Sequence, residues 1–378
     1  MKLPKKRLTI ALVSDSVLPF HNGGKEARID HLGKALVALG HDVHIYTMKW
    51  WDGPNKTYAQ DGITFHAISK LYPLYVNERR SFKEGILFGL AALKMIRYKY
   101  DVLEADHMPY FPLFSIKLVS LIKRKPFFAT WHEAVGLKAW QSYIGTPAGA
   151  VAYIIEHLAV RMPHHLITVS ERTHELVMSE LGFKGKKTLV QNGIDYRTIA
   201  AAPEAKKKSD IVYAGRLVKH KQVDTLIRAV ARLRDANPKI RATIIGTGPD
   251  FDRLQKLIAK LGLEKNVTMT GRLKHSSDVF SHMKASKVFV SPSTREGFGI
   301  TILEAYACGL PVVTVNHPDN AGQYLVNPDT GIVCDLTPKA LADSITTLLQ
   351  EKRKLSAADA QKFDWSHSVE ALIKAYTS

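Results

Sequence analysis

Two glutamates, Glu296 and Glu304, bracket a glycine-rich stretch in "STREGFGITILEAYACGLPVV", residues 293–313. "VFVSPS" just before it reads as the end of a strand, Glu296-Gly297-Phe298-Gly299 as a loop, and a helix is expected from about Ile300. Unpaired amides at such a helix start, beside the positive end of its dipole, suit a phosphate. The glycines let a ligand approach the backbone closely. Glu296, in the loop, can accept hydrogen bonds from sugar hydroxyls. Glu304, on the first helical turn, can accept both hydroxyls of a ribose, because a carboxylate offers several acceptor sites. The competing explanation is that both acids simply favour a helix N-terminus. Either acid alone fits that explanation better; the pair, placed after a strand with glycines between, favours a ligand.

Three other stretches carry candidate chemistry. In "AGRLVKHKQVDTLIRAV", Arg216 and Lys221 follow a strand and precede an amphipathic helix. Fixed cations there can neutralise a diphosphate leaving group, Arg through a planar fork and Lys as a point charge. A solvated basic loop is the plain alternative in a chain with 53 Lys and Arg, and Lys219 and His220 share the loop. Gly23-Gly24, after the first strand and before a helix, leaves room for a phosphate or sugar against the chain. The full G-x-G-x-x-G fingerprint is missing there, and "GTGPD" (246–250) lacks its third glycine, so a nicotinamide dinucleotide is a weak reading. His132, in "FFATWHEAVG", follows a strand end where a histidine can donate a hydrogen bond to sugar or phosphate. With sixteen histidines in the chain, position alone favours a structural role; neighbouring Glu133 either orients the ring or is a solvated acid.

The elements that must position these residues alternate along the chain. "LTIALVS", "DVHIYT", "GITFHAI", "DVLEA", "FFAT" and "HLITVS" read as strands, separated by helical periods such as Ala27, Ile29, Leu32, Leu36 and Leu39, which stops at Gly40. The pattern pauses over 192–210, a plausible linker with Gly193, Pro203 and a lysine run. It restarts with "DIVYAG", "ATIIGTG", "NVTMTG", "VFVSPS" and "PVVTV", with helices from about Gln222, over 251–261 and near 301–308. The expected fold is α/β with two Rossmann-like, doubly wound domains. The expected divisions are 1–195, 196–360, and a last helix within 361–378 packing back on the first domain. Two such domains facing each other give one cleft with a donor wall and an acceptor wall.

Bulk composition narrows the classes. At 378 residues, 46% hydrophobic and 23% charged, the chain suits a soluble globular protein of two cores. "MKLPKKRLTIALVSDS" reads as a first strand with a basic lead-in, not a signal peptide. Cys308 and Cys334 are too few for a disulfide framework or a zinc motif, and fit a reducing compartment. Neither a G-x-S-x-G elbow nor a G-x-x-x-x-G-K-[ST] loop occurs. The net charge is +18, with 26 basic against 17 acidic residues in 1–195 and 27 against 18 in the rest, so it is not a one-sided tail. Over 79–125, ten basic residues against four acidic ones interleave with "GILFGLAALKMI" and "FPLFSIKLVSLI". Such segments can lie on an anionic bilayer; two ordinary sheet-covering helices are the commoner case. Nucleic acid fits less well, since no recognition motif accompanies the charge.

Taken together, "EGFGITILE", "EAYACGLPVV", "YAGRLVKHK", "IIGTGP" and the N-terminal glycine pair resemble the retaining GT-B glycosyltransferases of family four, whose E-x7-E motif falls on Glu296 and Glu304. The resemblance spans almost the whole chain and is strongest over 211–315. It implies a nucleotide-sugar donor in the second domain, with Arg216 and Lys221 on the diphosphate. The amides of Phe298, Gly299 and Ile300 would meet sugar and phosphate, Glu304 the ribose and Glu296 the donor sugar. His132 takes the place of the family's active-site histidine, and Gly23 and Gly24 line the cleft floor. It further implies no bound metal and no cofactor beyond the UDP- or GDP-sugar. Transfer would go from the leaving-group face to a lipid or glycan hydroxyl. The expected setting is cytosolic, in peripheral contact with an anionic membrane, with no nucleic-acid partner. Two alternatives stay open at this point: a UDP-sugar epimerase of the same fold, and a non-catalytic nucleic-acid-binding protein.

Overall fold

The computed structural model describes residues 6–21, 23–76 and 79–377. Asn22, beside the glycine pair, lies outside them. The chain divides into two compact units, one formed by 1–192 and 365–378, the other by 193–364.

The first unit runs β1 (Thr9–Val13), α1 (Gly24–Ala38), β2 (Asp42–Met48), β3 (Thr57–Gln60), β4 (Ile63–Ser69), β5 (Tyr75–Val76), β6 (Arg79–Arg80) and α2 (Phe82–Ala92). It continues with β7 (Val102–Asp106), α3 (Phe111–Lys123), β8 (Phe127–Trp131), α4 (Gly136–Ile144), α5 (Thr146–Ala159), β9 (His165–Thr168), α6 (Glu171–Ser179) and β10 (Lys186–Leu189). The sheet order is β10-β9-β8-β7-β1-β2-β4-β3, parallel except for the β3 edge. Strand order reverses between β1 and β7, so the loops after these two strands open at a topological switch point.

Each sheet face has its own core, as parallel strands require. One holds Phe88, Met95, Leu113 and Ile116 under α2 and α3. The other holds Ile29, Leu32 and Leu36 of α1. The period read from Ala27 to Leu39 therefore buries Leu36 completely, where truncation to Ala would cost about 2–5 kcal/mol. Gly40, at φ +85°, ends the turn that follows α1.

The second unit runs α7 (Tyr196–Ala201), β11 (Ile211–Ala214), α8 (Val223–Ala236), β12 (Ala242–Ile245), α9 (Phe251–Lys260), β13 (Val267–Gly271) and α10 (Ser276–Lys284). Then come β14 (Val288–Ser291), α11 (Ile300–Ala307), β15 (Val312–Val315), β16 (Gly331–Cys334) and α12 (Pro338–Glu351). Its sheet, β13-β12-β11-β14-β15-β16, is wholly parallel, with its switch point between β11 and β14. Helix α13 (Trp365–Thr377) belongs to the first unit, where it packs on α1 and its Tyr376 hydroxyl bonds buried Glu104.

Two expectations change. The stretch 192–210 is not all linker: α7 forms within it, capped by the Asp195 side chain, which accepts from the Thr198 amide at 3.0 Å. Glu304 is the fifth residue of α11 rather than part of its first turn, which carries no acid. Attraction to a helix N-terminus therefore does not account for Glu304.

Candidate active site

In the second unit, the loops after β11 and β14 lie on adjacent strands at the switch point, where ligands of doubly wound sheets bind. The β11 loop closes in a 3₁₀ turn, Lys219–Lys221. Lys221 Nζ donates to Glu296 Oε1 at 2.5 Å. The two loops are also tied through the backbone: the Thr294 amide and hydroxyl both donate to the His220 carbonyl, at 2.8 and 3.0 Å.

Glu296 is fixed on its other side. Its amide donates to Asp319 O at 3.0 Å and its carbonyl accepts from Ala321 N at 2.9 Å. That segment is held by Asn320, whose buried Nδ2 donates to Val315 O at 2.8 Å while Oδ1 accepts from Gly322 N at 3.1 Å. Sequence reasoning missed Asn320; no motif marks an amide whose partners are backbone atoms.

Gly299 takes φ +98°, which only glycine adopts at low cost, and turns the chain into α11. Phe298 is buried beneath it and Ile300 opens the helix. Gly299 offers no side-chain cap to this start. One turn further on, desolvation pushes Glu304 up to about 7. Arg216 is exposed, two residues past β11, and its carbonyl accepts from the Tyr213 hydroxyl at 3.0 Å.

The glycines of "GTG" pack against the loop after β11. A Cβ on Gly246 would lie 1.9 Å from Gly215 O, and one on Gly248 would lie 2.2 Å from Leu217 O. They clear space for the loop that bears Arg216.

In the first unit, the same edge of the sheet holds Asp15 after β1, Asp106 at the end of β7 and His132 after β8. His132 Nε2 meets Asp106 Oδ1 at 2.8 Å. A carboxylate that orients this ring is thus Asp106, on the neighbouring strand. His107 Nδ1 accepts the His132 amide at 3.3 Å, and burial, together with the charges of His132 and Lys25, holds His107 well below the usual histidine range.

Gly23 is extended at φ −168° and Gly24 is the first residue of α1; both are exposed. The residues after them make an ionic cluster that the sequence left open. Lys25 and Arg80 both bond the Asp15 carboxylate, which is fully buried. Burial alone would raise Asp15, but the two cations outweigh it and hold it below the usual carboxylate range. Glu26 accepts from Ser16 Oγ at 2.5 Å and contacts His21 Nδ1 at 3.0 Å. Buried Glu84 lies 3.9 Å from Arg80, and burial with the Asp15 charge pushes it up to about 7.

The model "Glycosyltransferase Family 4" matches residues 22–197, and "Glycosyl transferases group 1" matches 196–363. The chain belongs to the family-four, retaining GT-B glycosyltransferases. This glycosyltransferase is a hexosyltransferase that uses a nucleotide-sugar donor. Membership removes the non-catalytic, nucleic-acid-binding alternative. A glycogen synthase of Mycobacterium tuberculosis is 26% identical over 98% of this chain and 94% of its own. A phosphatidylinositol N-acetylglucosaminyltransferase subunit of Schizosaccharomyces pombe is 24% identical over 97% of this chain and 80% of its own. An Anabaena protein solved in complex with UDP-glucose superposes with a TM-score of 0.74 at 19% identity, covering 98% of this chain and all of the other. That likeness shows the shared two-domain fold.

Proposed function

We infer that this glycosyltransferase moves a hexose from a UDP- or GDP-sugar to a hydroxyl of a lipid or glycan acceptor. The observation that carries the donor side is the Lys221–Glu296 contact beside the uncapped start of α11. Arg216 and Lys221 take the diphosphate, and the amides of Phe298, Gly299 and Ile300 take phosphate and sugar oxygens. Glu296 accepts from the hydroxyls of the hexose and Glu304 from those of the ribose. His132, held by Asp106, is the first unit's contribution to the reaction, with Gly23 and Gly24 letting a phosphate or sugar of the donor sit against the chain.

The acceptor hydroxyl attacks the anomeric carbon from the face that the diphosphate leaves. The bond from that carbon to the phosphate oxygen breaks, the new glycosidic bond forms, and the hydroxyl proton passes to the departing phosphate. The protein's work is orientation and stabilisation of the leaving charge, not strong base catalysis.

A lipid acceptor agrees with the phosphatidylinositol substrate in the name of the fission-yeast relative. On this reading the enzyme works in peripheral contact with the anionic cytosolic face of a membrane. No helix among the described residues is long and apolar enough to cross one. The test is a panel of UDP-, GDP- and ADP-sugars scored for thermal stabilisation and slow donor hydrolysis. Stabilisation by one base class that is lost in Lys221→Ala supports the reading; indifference to all three overturns it.

A further inference from the structure

Exposed large apolar side chains are spread unevenly over the two units. The second unit shows two, Tyr324 and Val333, whereas α2, the turn that follows it, α3 and α5 together show eleven. On α2 the outward stripe is Phe82, Ile86, Leu90 and then Leu93, spaced four, four and three residues apart, with Leu90 60% exposed. On α3 it is Leu118, Leu121 and Ile122, and on α5 it is Val151, Ile154 and Leu158. The three helices adjoin: α2 packs on α3 so closely that a Cβ on Gly89 would lie 2.8 Å from Phe111 Cβ, and α3 packs on α5. Single exposed leucines need no explanation, but a continuous field of them across neighbouring helices marks an interaction surface.

The exposed charges carried by these helices and the turn after α2 have one sign. Among the described residues, these helices present no exposed carboxylate: their two acids, Glu84 and Glu156, are buried. Lys83, Lys94, Arg97 and Arg124 are exposed at its margins. A second copy of the chain would oppose like charges across such a contact. An anionic headgroup layer would meet the cations while the leucines enter the acyl boundary.

We propose that the outer face of α2, α3 and α5 is the surface on which the enzyme docks to an anionic bilayer. The proposal rests on the reading of a lipid-borne acceptor and is independent of the donor roles given to the second unit. Helices α2 and α3 begin at the sheet edge where Asp15, Asp106 and His132 lie.

The test is flotation of the full chain with phosphatidylcholine vesicles, with and without phosphatidylglycerol, at low and high salt. The wild type is expected to float only with phosphatidylglycerol, and less at high salt. Leu90→Glu with Leu121→Glu should lower vesicle binding about tenfold or more. Lys83→Glu with Arg97→Glu should lower it and flatten the salt dependence. The melting shift given by UDP or GDP serves as the folding control and should be kept in both variants. A wild type that does not float, or variants that float undiminished, overturns the proposal. So does a wild-type dimer that the leucine variant turns into a monomer, since a second copy then covers the face. Absence of any nucleotide shift in a wild type that floats would strike the donor reading alone.

Discussion

Lys221 Nζ lies 2.5 Å from Glu296 Oε1, although 75 residues separate them. The contact joins the loop after β11 to the loop after β14, and so clasps the switch point of the second sheet. In the function proposed above, Lys221 orients the acid that accepts the hexose hydroxyls and has further N–H donors for a diphosphate oxygen.

Removing either partner should therefore impair more than one contact. Lys221→Ala and Glu296→Ala are each expected to lower kcat/KM by roughly 10²–10³-fold with melting temperature nearly unchanged. The double variant should lose much less than the sum of the two free-energy effects, because both act on one arrangement. Steady-state kinetics on the three proteins checks this; full additivity would mean that the pair acts as two independent residues.

Glu304 gives a pH signature. Its carboxyl is pushed up to about 7 from an ordinary value near 4.5, so the unfolded chain ionises it first. Its effect on stability therefore turns unfavourable as pH rises between those values, and Glu304→Gln should be relatively more stable than the wild type above about pH 7. Comparing the two proteins isolates Glu304 from Glu84, which is also pushed up to about 7. A ribose diol is best accepted by the ionised form. Nucleotide affinity should thus rise with pH through about 7, and Glu304→Gln should be about tenfold weaker with a flat profile. Titration calorimetry across that range reads both slopes.

Gly246→Ala should damage the donor site from a distance. The added Cβ meets Gly215 O at 1.9 Å, and the residue sits at φ +138°. A loss of roughly 1–3 kcal/mol in unfolding free energy is expected. Displacement of the Arg216 loop should also weaken UDP or GDP binding by about tenfold or more. Denaturant melts and calorimetry on one sample measure the two effects.

Asp106→Asn tests the positioning of His132. It should lower kcat roughly ten- to hundred-fold while leaving the donor dissociation constant unchanged, since donor groups sit in the other unit. His132→Ala should lose on the order of 10²-fold, and adding Asp106→Asn to it should cost little more. A change in donor affinity in Asp106→Asn would place the pair on the wrong side of the reaction.

Much of this was readable from the sequence because it is local. The α1 period, the strand–loop–helix around Gly299 and the acid pair of the E-x7-E motif all lie within one element and its flanks. What was not readable depends on chain closure. Asp15 meets Arg80 across 65 residues and His132 meets Asp106 across 26, and nothing in either sequence neighbourhood marks the partner. Glu133 is the nearer acid in sequence, whereas Asp106 comes from the strand paired beside that of His132. Strands β3, β10 and β16 went unread because they are short or half-exposed and lack a continuous apolar run. Helix α7, six residues long, was hidden by Gly193 and Pro203 on either side of it and by the lysine run that follows, although Asp195 three residues before Thr198 is a capping signal.

The most direct measurement is a crystal structure of the enzyme with its preferred nucleoside diphosphate bound. The account predicts phosphate oxygens within hydrogen-bonding reach of Lys221 Nζ and the amides at Gly299 and Ile300, and the ribose hydroxyls on Glu304. A nucleotide bound anywhere else on the chain, or bound there with its ribose turned away from Glu304, would contradict it.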